Sequence, residues 1–268
     1  MSTLLIGYDV EAPPRYSHET RQFLARAVEL HTALGAPCSF FAVGRTLEHN
    51  VDAFKPAAAR PDIFDIQSHT YSHCLLKTVC QDDGKAITVF RGGSLDRVRR
   101  DVRRGLQVLK DTLGIEAQGL TTPYGYYRGL SDRPDLLGLL HRLGIRFVRS
   151  YARDEHDWQP LSLSIQPFWY APQGYPDIFE FPVHGWQDCL WRAERGWQNV
   201  DEFRDYQCSL VDEAIEKNCV LSLAYHDWSS IREDPQLTII SGLLAHARKR
   251  GMRILSYRQY YVEQLGLH

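Results

Sequence analysis

Short apolar runs alternate with longer amphipathic stretches along nearly the whole chain. LLIGYD (3–8) reads as a strand. Beyond a turn holding Pro13 and Pro14, residues Glu19 to Leu34 carry Phe23, Leu24, Ala27, Leu30 and Leu34 at helical spacing, and Gly35 stops that helix. The later apolar runs are CSFFAV (38–43), FDIQSH (64–69), AQGLTTP (117–123), RFVRS (146–150), IFEFPV (178–183), CVLSLAY (219–225) and MRILSY (252–257). Between them fall a polar helix, a long segment from Leu95 to Leu113, a helix from Pro134 to Leu143, and helices near 201–217 and 236–249. Strands alternating with helices imply right-handed βα units and a parallel sheet, and seven or eight such units suit a closed barrel better than an open sheet. The expected fold is therefore α/β, one barrel of about seven strands, with residues 1–268 forming a single domain. No linker or repeat divides it. The stretch from 151 to 177, with DEHDW, QPFWY and APQGYP, lacks periodicity and reads as a long loop over a site.

Composition narrows the function classes. A chain of 268 residues with 44% hydrophobic and 24% charged residues and a net charge of -2 belongs among ordinary globular proteins. A nucleic acid or an acidic membrane surface would call for a clustered basic excess, which the balance does not supply. No apolar stretch approaches the roughly 20 residues of a membrane span. Met-Ser-Thr runs straight into LLIGYDVEAPP without a basic and apolar leader, so the expected location is cytoplasmic. The six cysteines form no CxxC pair and read as reduced, buried thiols. The oligomeric state is open, since QPFWY would serve a groove or a subunit contact equally well.

In barrels of this kind chemistry collects where strands end. Asp9 and Glu11 close the first strand, and alternation puts both on the same side, where two carboxylates need a cation. SHTYSH (68–73) sets His69 and His73 four residues apart, which on a helical turn aims two imidazoles at one point. Chance alone supplies about 0.45 such pairs with 11 histidines in 268 residues, so the place after a strand carries the weight. LSLAYHDW ends a strand on His226, an acid or base candidate beside Asp227 and Trp228. TTPYGYYRG (121–129) offers an aromatic turn at Tyr124, and DEHDW (154–158) offers Asp157 and Trp158. Singly, each has a bland reading as a cap, a turn or packing; their order after successive strands is what points to a site.

That order resembles the NodB-type polysaccharide deacetylases, the carbohydrate esterase group built on a deformed (β/α) barrel. SHTYSH resembles the family's H-[ST]-x-x-H metal motif, YDVEAP its first motif, TTPYG its third, DEHDW its fourth and LSLAYH its fifth. The subgroup with a D-x-[DE] first motif is the closer likeness. The resemblance implies a divalent ion, zinc above others, held by Glu11, His69 and His73, with Asp9 as base and His226 as acid. The roles of Asp9 and Glu11 are interchangeable on this reading. Tyr124, Asp157, Trp158 and Trp228 would bind substrate, and Asp157 or Asp227 would keep His226 protonated. Where the family's third motif has arginine this chain has Thr121, so either another cation such as Arg128 or Arg149 substitutes or activity is altered or lost.

The implied reaction is hydrolysis of an N-acetyl, or O-acetyl, group from a carbohydrate, with an acetylated sugar or carrier-linked oligosaccharide as partner. Two imidazoles and a carboxylate leave an ion open positions for water and substrate. A backbone N–H near Tyr124 would stabilise the oxyanion. The alternatives are an allantoinase-like or other C–N amide hydrolase on the same barrel, and a catalytically inactive carbohydrate-binding relative.

Overall fold

The computed structural model describes residues 1–267. The chain runs β1 (Thr3–Val10), α1 (Ser17–Leu34), β2 (Cys38–Ala42), α2 (Gly44–Ala58), β3 (Phe64–Ser68), a hairpin of β4 (Val79–Asp82) and β5 (Ile87–Phe90), α3 (Leu95–Leu113) and β6 (Gly119–Tyr127). It continues through α4 (Pro134–Arg142), β7 (Phe147–Arg153), β8 (Phe168–Tyr170), β9 (Tyr175–Glu180), α5 (Asp188–Arg195) and α6 (Val200–Glu216). It ends with β10 (Val220–His226), α7 (Asp227–Ile231), α8 (Thr238–Lys249), β11 (Arg253–Leu255) and α9 (Tyr257–Leu267).

The main sheet is ordered β10-β1-β2-β3-β6-β7-β9-β8, and every pairing is parallel except β8 with β9. The mixed α/β fold expected from the alternation is thus present. All eight β1 positions are buried, because a parallel sheet covered on both sides offers no wet face. Parity still sorts them. Leu4, Ile6, Tyr8 and Val10 join the cluster packed under α1, α2, α6 and α8, whereas Leu5 joins Phe41, Phe147, Phe181 and Tyr257 in the cluster on the inner side. Asp9, two residues on from Gly7 and four from Leu5, continues that inner row.

The sheet curls until β9 and β10 approach, and the chain after β9 bridges them. Val183 N–H donates to the Tyr151 carbonyl, and His184 N–H donates to the Ser222 carbonyl at 2.8 Å. The His184 ring continues the seam, accepting Ser222 N–H at Nδ1 (3.0 Å) while Nε2 donates to the Ile165 carbonyl (2.7 Å). Where the β7–β9 ladder ends, Glu180 takes over with a side chain, accepting Ser150 and Tyr151 N–H at 2.7 and 2.8 Å.

One expectation is corrected. The stretch 151–177 is not one loop: residues 151–153 complete β7, and Phe168–Tyr170 form β8 against β9. Within it Trp169 packs at a tilt against Phe179, with ring centroids 4.6 Å apart, and Tyr170 is fully buried. The β4–β5 hairpin and α5 went unforeseen because both are short and lie outside the alternation of long helices and apolar strands.

Burial lifts the Glu180 carboxyl from its ordinary 4.5 to about 7, over the opposing hydrogen bonds from Ser150 and Tyr170. The unfolded chain ionises through 4.5 while the folded one holds its proton to about 7, so this group removes stability as pH rises across that window. Glu180→Gln, which mimics the neutral carboxyl, is expected to gain up to about 3 kcal/mol over wild type between pH 4.5 and 7.5 in urea unfolding. A pH-independent difference would show that Glu180 is ionised throughout.

Candidate active site

A cavity of about 250 Å³ opens at the carboxyl ends of the strands, and Asp9, Glu11, His69, His73, Tyr124, His226 and Trp228 all line it. The parity reading of Asp9 and Glu11 is matched: both reach the same space. Glu11 Oε2 lies 3.1 Å from His69 Nε2 and 2.9 Å from His73 Nε2. Burial raises the Glu11 pKa, but His73, His226 and the hydrogen bonds from His69 and His73 outweigh it and hold the carboxyl well below its usual range.

The two imidazoles do not meet on a helical turn. Residues 69–74 form an irregular loop in which Thr70 and His73 take positive φ (61° and 60°), and the rings meet edge to face with centroids 4.9 Å apart. The loop is tied down by Asp101 of α3, which accepts the N–H groups of Tyr71 and Ser72 at 2.9 and 3.0 Å. His69 Nδ1 sits 3.1 Å from the Thr121 carbonyl and is thereby committed as a donor, which turns Nε2 toward Glu11. With Nδ1 so committed, a proton or a cation must lie between Nε2 and the carboxylate. The donor atoms of Glu11, His69 and His73 all lie within 4.8 Å of one another, so this N₂O set fits a divalent ion.

Asp9 is paired with Arg149 of β7, whose Nη2 donates to Asp9 Oδ1. Arg149 is buried, with its guanidinium carbon 4.5 Å from the Phe41 ring centroid and 5.7 Å from that of Tyr257. Its Nε donates to Thr121 Oγ1 at 2.9 Å. Thr121 and Arg149 are register partners on adjacent strands, so the cation is supplied one strand over from the position the third motif would give it. Arg128 takes no part in the cavity lining. Gly7 makes the arrangement possible, because a Cβ there would collide with Arg149 Nη1.

His226 is oriented by a residue the sequence reading missed. Asp188, at the start of α5, accepts from His226 Nδ1 at 2.6 Å and from His226 N–H at 3.0 Å. Burial alone would lower the imidazole pKa, but Cys189, Asp188 and Glu11 raise it well above 6.5. The expected partners, Asp157 and Asp227, are otherwise engaged. Asp157 accepts Cys80 and Tyr127 N–H at 2.9 and 3.3 Å, outside the cavity. Asp227 accepts Thr20 Oγ1 at 2.6 Å and the N–H groups of Glu11 and Ala12, both at 3.2 Å, which fixes the loop carrying Glu11. Trp158 packs edge-on against Trp186 at 6.1 Å and does not line the cavity. A signal for Asp188 existed: DCLW (188–191), like DEHDW, sets an aspartate a few residues before a tryptophan in the segment after a strand, though at a different spacing.

Tyr124 and Trp228 flank the cavity. Tyr124, at φ 70°, lies between the rings of Phe90 (4.7 Å) and His73 (6.0 Å). Trp228 Nε1–H donates to Glu11 Oε1 at 3.2 Å and its ring lies 5.8 Å from that of His226.

Fold and site together define a class: a parallel barrel with a three-donor cluster, a buried acidic pair partner and a carboxylate-oriented imidazole at its carboxyl end. The chain belongs to the polysaccharide deacetylase family, whose model matches residues 8–148, just over half of it. No curated protein sequence matches. Among solved structures the chain is similar to Puue allantoinase, at 15% identity and a TM-score of 0.72 over 100% of this chain and 91% of that one. It is also similar to a family 4 carbohydrate esterase from Streptomyces lividans in complex with acetate (12%, TM-score 0.53, covering 94% and 91%). A CE4 family pseudoenzyme from Bacillus anthracis matches at 10% and TM-score 0.57, over 97% of this chain and 65% of that one. At these identities the likeness is one of fold. No helix among the described residues is long and apolar enough to cross a membrane.

Removing Arg149 would strand a buried carboxylate. Arg149→Met is expected to cost about 3 kcal/mol or more of stability at pH 7, and adding Asp9→Asn should restore most of it. Denaturant unfolding of both single variants and the double variant measures this, and strict additivity would mean the two groups are not coupled.

Proposed function

We propose that the chain is a metal-dependent carbohydrate deacetylase that hydrolyses an acetyl group, N-linked in the first instance, from a sugar or a carrier-linked oligosaccharide. The observation that carries this is the convergence of Glu11, His69 and His73 on a cavity that also holds the Asp9–Arg149 and His226–Asp188 pairs. Glu11, His69 and His73 would hold a divalent ion, zinc in the first instance, since two imidazoles with one carboxylate are a donor set that zinc accepts. Such an ion, when bound, polarises a carbonyl and acidifies water.

The remaining work falls to the chain's own side chains. Asp9, paired with Arg149, accepts the proton of the attacking water. A backbone N–H at the Tyr124 turn faces the developing oxyanion. His226, held as the cation by Asp188, donates its Nε2 proton to the leaving amine, which would otherwise depart as an unstable anion. Tyr124 and Trp228 present flat faces to the sugar ring. Asp157 and Trp158, turned away from the cavity, have no part in this scheme. The inactive-relative reading draws on Thr121 and on the first motif, where Val10 separates Asp9 from Glu11, and the placement of Arg149 on Asp9 weakens the first of these grounds. A ureide hydrolase is the second reading, supported by the likeness to an allantoinase and by a cavity compact enough for a small substrate.

Purified protein is expected to contain about one zinc per chain by emission spectroscopy and to release acetate from N-acetylglucosamine oligosaccharides. His69→Ala should lose both metal and activity. His226→Ala should keep the metal while kcat falls about 10²–10⁴-fold. Full acetate release by the His69 variant would sink the metal assignment, and turnover of allantoin in place of the sugars would transfer the site to the second reading.

A further inference from the structure

Arg153, at the end of β7, lines the cavity while only 2% exposed. Its Nε donates to the carbonyls of Tyr124 (2.9 Å) and Gly125 (3.2 Å), and its Nη1 donates to the carbonyl of Asp157 at 2.5 Å. Nη2 has no hydrogen-bond partner among the described residues, and no carboxylate oxygen among them lies within 4.0 Å of the guanidinium. Asp157 acts on it only at longer range, with both carboxylate oxygens turned to the N–H groups of Cys80 and Tyr127.

Every other charge in the cavity is matched. Asp9 faces Arg149, Glu11 faces His69 and His73, and His226 faces Asp188. Arg153 is the one buried cation there whose partners are all neutral carbonyls. Burying a cation without a counter-charge is unfavourable, and carbonyl dipoles offset this only in part. A guanidinium with a free Nη2 suits an incoming oxyanion, since it stays charged and carries its remaining N–H groups in a fixed plane.

We propose that the substrate is an acidic acetylated sugar, and that Arg153 sets this specificity by receiving its carboxylate or phosphate beside the Tyr124–Gly125 turn. The proposal rests on the reading of the site as a sugar deacetylase. A cavity of about 250 Å³ accommodates one such ring and its acetamide rather than several rings at once.

The test compares N-acetylglucosamine, its 6-phosphate and N-acetylglucosaminuronic acid on wild type, Arg153→Gln and Arg153→Lys. Wild type should show kcat/KM at least about tenfold higher for one anionic sugar than for the neutral one, and which of the two it prefers identifies the anion. In Arg153→Gln that ratio should collapse toward one, chiefly through KM, and Arg153→Lys should restore part of it. A wild-type ratio near or below one overturns the proposal. So does a ratio unchanged in Arg153→Gln, because a residue that merely holds the turn would lower all three rates alike. If no sugar releases acetate, the deacetylase reading fails by itself, and calorimetric titration of wild type with glucuronate, glucose 6-phosphate and glucose decides Arg153 separately. Equal dissociation constants for anionic and neutral ligands would then overturn it.

Discussion

A guanidinium buried inside a barrel whose inner wall is built from Phe41, Phe147 and Phe181 needs an acidic partner, and Asp9 faces Arg149 there. Much of the inner architecture follows from that pair. Gly7 lacks a side chain where the guanidinium passes, Phe41 and Tyr257 offer it ring faces, and Thr121 accepts from its Nε. Asp9 is thereby fixed in one orientation at the floor of the cavity. The same residue of β6 that receives Arg149 through its hydroxyl orients His69 through its carbonyl. One strand position therefore couples the base candidate to the metal-ligand candidate.

A second tier of carboxylates acts on the site without lining it. Asp101 shapes the loop that bears His69 and His73, and Asp227 anchors the backbone of Glu11. Each accepts backbone N–H groups that an irregular loop leaves without ladder partners. Glu180 and His184 do the same for the barrel wall, replacing ladder bonds with side-chain bonds where β7, β9 and β10 fail to pair regularly. The deformed seam of this barrel is thus held largely by side chains. Asp188 stands just beyond that seam, and its bond to His226 joins the chain after β9 to the end of β10.

How far the chain could be read in advance follows from the range of each interaction. The parallel strands were legible because burial on both faces writes them as continuous apolar runs, and α1, α3, α4, α6 and α8 because their periodicity persists over two or more turns. The hairpin of β4 and β5 was not legible, because its one short apolar run, ITVF (87–90), stands outside the alternation of strands and helices and leaves Ile87 and Val89 exposed. Glu11, His69, His73 and His226 were legible because each follows a strand in a barrel whose strand ends face one space. Asp188 was obscured by DEHDW at 154–158, which also sets aspartates before a tryptophan after a strand. Only the path of the chain after β9 puts one of them against His226 and turns the other toward Cys80 and Tyr127.

The order of apolar runs and the spacing of motif residues determined the βα alternation, the family resemblance and the sides on which Asp9 and Glu11 point, since all of these depend on neighbours a few positions apart. Tertiary structure alone decided which cation meets Asp9, which carboxylate orients His226, and which cation is left facing the cavity. Thr121 and Arg149 are 28 residues apart yet opposite one another in the sheet, and Asp188 and His226 are 38 apart. Charge pairing acts across space, so its partners are chosen by strand register and barrel curvature, and neither is written in the local pattern.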